Sequence, residues 1–129
     1  MKETSVFIKT SGSVSEVADI VGSLIGASWR EYRESDVNHH MSWHTGTAFV
    51  MLDKDSFVDD LGIPFSEYPF YVLVDDSATD ADRIAYARSI FEKLKAMNVP
   101  LMLVDDMEVK LDEWTPPVPL QSTDAAVFS

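Results

Sequence analysis

The chain contains no cysteine. That excludes disulfides, thiolate zinc sites, iron–sulfur ligation and a cysteine nucleophile together, and it suits a reducing compartment. Glycine is scarce, at five residues, and neither G-x-G-x-x-G nor G-x-x-x-x-G-K-S/T occurs, so no phosphate cradle is built in. The G-x-S-x-G nucleophile elbow is missing as well. No apolar run exceeds strand length, so no segment is expected to span a bilayer. The start, Met1-Lys2-Glu3-Thr4-Ser5, has no apolar signal core behind it, which points to the cytoplasm. Basic residues are few: ten Lys and Arg stand against 22 Asp and Glu, for a net charge of −12. Nucleic-acid binding needs a basic footprint that this chain lacks, and anionic membrane surfaces are disfavoured for the same reason. A basic protein partner is favoured, because a negative field steers positive surfaces toward it.

What is present suits one globular domain. The 129 residues are 46% hydrophobic and 25% charged, enough to bury a core without staples. Ser5 to Lys9 reads as a first strand. Ser13 and Glu16 form a capping box, and Val14, Val17, Ala18, Val21, Leu24 and Ile25 make one helical stripe that Gly26 can close. Residues 29–35 read as a strand with one wet face, 38–44 as a loop, and 47–52 as a strand. The stretch 53–69 is acidic and interrupted by Pro64 and Pro69, which argues against a regular element. Residues 70–74 are a buried strand by composition. A helix is expected over 80–97, with Asp80 and Asp82 at its start and Ile84, Ala87, Phe91 and Leu94 facing the core. Leu101–Val104 is another buried strand, and 108–114 a last edge strand. The order implies an α+β fold: a ferredoxin-like variant with two helices packed on a mainly antiparallel sheet of about five strands. Residues 1–114 form the domain, and 115–129 a Pro-rich extended tail.

Chemistry has few places to reside. His40 and His44 have i, i+4 spacing with His39 beside them, but His-Glu-x-x-His is absent, so a polar loop is the simpler reading and no cofactor is expected. Asp75-Asp76 and Asp105-Asp106 follow two strands expected to be neighbours. They suit a magnesium site, a negative patch for a basic partner, or plain turn and capping chemistry. Acidity is bunched: residues 53–82 carry nine acids and one lysine, and 103–129 six acids and one lysine, while 83–102 are net positive. The first block also holds Phe57, Phe65, Tyr68 and Tyr71. Acids with aromatics on an irregular segment suit a surface for a basic target, and Phe65 and Tyr68 equally suit plugs of the core beneath a long loop. The partner-binding candidates are Asp59, Asp60, Phe65, Glu67, Tyr68, Asp75, Asp76, Asp105 and Asp106; no catalytic residue stands out. A metal-dependent enzyme built on the Asp pairs and a structural or assembly accessory protein are the alternatives, with a DNA-mimicking protein behind them.

In size, acidity and lack of cysteine the chain resembles the small acidic immunity proteins that neutralise bacterial polymorphic and contact-dependent toxins. Residues 68–104, opening on Tyr68-Pro69 and running through a helix to an apolar strand, are similar to the C-terminal half of the barstar family. The Tyr-Gly segment ahead of that family's acidic inhibitory helix has no match, so no inhibitory residue carries over. The resemblance implies an inhibitor, not an enzyme, that plugs a basic effector such as a nuclease toxin.

Overall fold

The computed structural model describes residues 3–33, 39–46, 48–76 and 79–117. Strand β1 (Thr4–Ile8) is fully buried and runs into α1 (Val14–Ile25). The helix starts where the sequence predicts: Ser13 Oγ accepts from the Glu16 amide and the Glu16 carboxylate accepts from the Ser13 amide. Those bonds, the backbone one first, hold the Glu16 carboxyl below its usual range. Gly26 closes the helix in the left-handed conformation. Then come β2 (Arg30–Arg33), β3 (His39–His44), β4 (Ala48–Lys54), β5 (Phe70–Asp76), α2 (Asp80–Leu94), β6 (Leu101–Asp105) and β7 (Val109–Trp114). Thr79 caps α2, and a short 3-10 turn, Lys95–Met97, extends it. Among the described residues, no helix is long and apolar enough to cross a membrane.

The fold is α+β, with an antiparallel sheet of seven strands in the order β2-β3-β4-β5-β1-β6-β7, against the five or so expected. The segment read as a loop, 38–44, supplies β3, with Asn38 outside the described residues. Its three histidines masked an alternation: Met41 and Trp43 pack on the helix-side core, while 40, 42 and 44 face the other way. The edge strand β7 carries a register irregularity at Leu103/Val104. Of the expected tail, residues 118–129 lie outside the described residues.

Both helices cover one face of the sheet. Val17, Ala18 and Val21 from α1 and Ala87, Ile90, Phe91 and Leu94 from α2 pack on Val6, Ile8, Val50, Leu52, Val72 and Leu103. The buried stripe of α2 includes Ile90 and Arg83, while Ile84 is only half-buried. Helix α1 is locked from below by Trp29, whose Nε1 donates to the Ala18 carbonyl at 2.8 Å. Gly22 makes room for that ring: a Cβ there would lie 2.6 Å from Trp29 Nε1 and 2.9 Å from its Cδ1. Gly22→Ala is therefore expected to displace Trp29 and cost about 1–3 kcal/mol despite alanine's better helix propensity. Chemical denaturation followed by tryptophan fluorescence checks it; an unchanged or raised midpoint would refute it.

The opposite, outer face carries a cover of its own over β1 and β6. Residues 55–69 fold back over β1 and β6 as an irregular loop with one 3-10 turn, Phe65–Glu67. Beneath it Phe7, Ile63, Phe65, Tyr68, Met102 and Val104 form a second core. Phe7 lies at the centre, with ring centroids 5.3 Å from Phe57, 5.1 Å from Phe65 and 6.0 Å from Tyr71. Among the described residues no second cluster of this kind lies over the outer face of β2 to β4.

Candidate protein-binding surface

The sequence candidates separate into groups once the fold is known. Phe65 and Tyr68 are 2% and 7% exposed and plug the second core, so they anchor the loop from below. Glu67 is exposed and pairs with Lys9 at 3.0 Å. Asp105 is taken: its Oδ1 accepts from Arg83 Nη2 at 3.0 Å and from Thr4 Oγ1 at 2.9 Å. Asp106 sits in the tight β6–β7 turn with φ 53, beside Met107 at φ 56, and the Glu108 amide bonds back to the Asp105 carbonyl at 3.0 Å. Two consecutive positive φ values make a hairpin turn of the kind Asp favours.

The two Asp pairs are not on adjacent strands as expected. β1 lies between β5 and β6, with Thr4 paired to Val74 on one side and Asp105 on the other. The connection through α2 steps over β1, so these sequence-similar strand ends finish two places apart. Asp75 stands at the outer face opposite Phe49; the side chain of Asp76 lies outside the described residues. Among the described residues no three His, Asp or Glu side chains gather as a metal would require.

What remains at the surface is the crest of the 55–69 loop. Val58 and Leu61 are 83% and 65% exposed, and Asp55, Asp59 and Asp60 lie around them in the chain, all exposed. The crest is held in shape by short-range bonds. Asp59 Oδ1 accepts from the Ser66 amide at 2.9 Å, and hydrogen bonds from Ser66, the side chain's first, hold the Asp59 carboxyl below its usual range. Asp60 and Ile63 form an isolated β-bridge, and Asp60 Oδ1 accepts from the Leu61 amide at 2.9 Å. Leu61 is thereby fixed at φ 52, a conformation that costs a branched side chain free energy. An exposed leucine held there gains nothing for the core.

The field at this end of the sheet is negative. Tyr71, under the loop's edge, has its phenol pushed up to about 12, by burial first and then by Asp53, Asp55 and Glu3. Val58 and Leu61 could not be singled out from sequence, since neither belongs to a periodic pattern; their signal was apolar residues interleaved with acids where no element could bury them. No family model matches the chain, and no curated protein matches it.

Proposed function

We propose that this protein is a non-catalytic, immunity- or antitoxin-like inhibitor that binds a basic protein effector through the acidic crest of the 55–69 loop. The observation that carries this reading is the crest itself. Two apolar side chains stand in solvent among three carboxylates, on a loop made rigid by an aromatic core beneath it. Apolar anchors with a charged rim are the anatomy of a protein interface. A preorganised loop loses little entropy on docking, and the carboxylates raise the association rate with a basic target. We propose too that the frame β1-α1-β4-β5-α2-β6 is a ferredoxin-like variant, extended by β2-β3 and β7. Its two interleaved β-α-β units, each with a strand of the other between its own two, support that.

The test is affinity capture of the tagged chain from its host lysate at low and moderate salt, beside a variant carrying Val58→Ser, Leu61→Ser, Asp59→Asn and Asp60→Asn. The expected result is one basic partner, captured one-to-one by the native chain, inhibited by it in a purified activity assay, and lost by the variant at unchanged fold. The rim charges should account for at least about a tenfold fall in association rate at low salt. A partner held equally by the variant, or an acidic one, would refute the placement.

A further inference from the structure

We propose, resting on the effector reading above, that Leu61 is the specificity-determining anchor of the crest. It is a preset plug for one apolar, leucine-sized pocket on a basic protein, with Lys or Arg side chains at the pocket's mouth.

Residues 60–63 form a tight turn. The Ile63 amide donates to the Asp60 carbonyl at 2.7 Å, and the Asp60 amide donates to the Ile63 carbonyl at 3.3 Å. The two residues between them both have positive φ, 52 at Leu61 and 76 at Gly62. That combination marks a type I′ turn, whose preferred central pair is Asn-Gly. Gly62 fits the preference, and Leu61 stands where Asn is favoured. Asn offsets a left-handed backbone with local hydrogen bonds, which a leucine side chain cannot make.

Elsewhere the chain mostly follows that preference. Asn98 and Asp106, at φ 58 and 53, are residue types that tolerate this region. Met107, at φ 56, shares the β6–β7 turn with Asp106, where two paired strands must be joined. The turn at Leu61-Gly62 joins no two strands of the sheet; it closes an isolated bridge.

The core does not account for the leucine either. Leu61 is 65% exposed, whereas Ile63, two residues on, is 4% exposed and packs in the second core with Phe65. Ile63 and Phe65 fix the foot of the turn, so the position of Leu61 is set before a partner arrives. An apolar side chain held rigid in water loses little freedom on docking. Burying it in an apolar pocket is worth at least about tenfold in affinity. Asp55, Asp59 and Asp60 are exposed in the same loop, so a basic mouth around that pocket is the complementary one.

Leu61→Asn and Leu61→Met, each in the full chain, test this with two readouts. Asn completes the preferred turn and removes the apolar plug. Met keeps an apolar side chain of similar volume and keeps the unfavourable backbone. In thermal denaturation of the purified proteins, Leu61→Asn should raise the midpoint by about 3–5 °C, and Leu61→Met should leave it within about 1 °C. The second readout is binding of the immobilised chain to the basic protein that the native chain captures. Leu61→Asn should speed dissociation at least about tenfold and alter the low-salt association rate less than about threefold, since the carboxylates remain. Leu61→Met should keep dissociation within about threefold of native. An unchanged or lowered midpoint for Leu61→Asn would show that the leucine serves the fold. A complex that leaves Leu61→Asn no faster, or leaves Leu61→Met as fast as Leu61→Asn, would show that it does not select the partner. Each of these overturns the proposal, while the effector reading still stands or falls on the four-substitution crest variant. A native chain that captures no basic protein, or only a second copy of itself, overturns the effector reading and this proposal with it, whichever way the midpoint moves.

Discussion

Phe65→Ala is expected to destabilise the protein by about 3 kcal/mol and to release the 55–69 loop while the helix-side core stays folded. Phe65 is 2% exposed and packs on Phe7, and truncating a buried Phe costs about 3–5 kcal/mol. The lower end applies because the loop can partly collapse into the vacated space. The two cores lie on opposite faces of the sheet and meet only through the strands, so damage to one should not spread evenly. Urea denaturation should show a lowered midpoint. Native-state hydrogen exchange should show protection lost selectively over 55–69 and kept in α1 and α2. On the proposed function, effector binding should fall with it, since the crest would lose its shape. Uniform loss of protection, or a cost below about 1 kcal/mol, would mean that the second core does not hold the loop.

Arg83→Met carries the other large effect, a loss of about 3 kcal/mol. Arg83 is 3% exposed, yet every donor group has work: Nε donates to Thr4 Oγ1 at 2.9 Å, Nη1 to Asp80 Oδ1 at 2.8 Å and Nη2 to Asp105 Oδ1 at 3.0 Å. Burial opposes its charge, but the bonds to Asp80 and Asp105 outweigh that and raise its pKa. The group ties the first turn of α2 to β1 and β6. Removing one partner of a buried pair costs about 3–5 kcal/mol, because the other charge is left without compensation. The lower figure holds here because Asp105 keeps some contact with water. Asp105→Asn in the Arg83→Met background should then cost much less than in the native chain, with a coupling of about 1–2 kcal/mol. Thermal or urea denaturation of the four proteins in the cycle measures it. Strict additivity would show that the pair is not coupled.

Arg83 was legible in principle. It lies four residues before Ala87 on the stripe that continues to Ile90, Phe91 and Leu94, so a charge on the core face was visible in the spacing. Its partners were not, because Thr4 and Asp105 come from opposite ends of the chain. The same holds for the Asp pairs. Their local role as strand ends and turns could be read from residue type; their separation could not, since it depends on β1 entering between β5 and β6.

Local patterns by themselves determined both helices, the α1 capping box and its glycine stop, the buried strands and the irregular acidic segment. Each follows from side-chain periodicity or backbone chemistry within a few residues. Only the tertiary structure decided that β3 is a strand, that Phe65 and Tyr68 face inward while Val58 and Leu61 face water, and that β1 parts the two Asp-ended strands. Those outcomes depend on strand order and register. They are set by long-range pairing, which reverses a side chain's face with a shift of one residue.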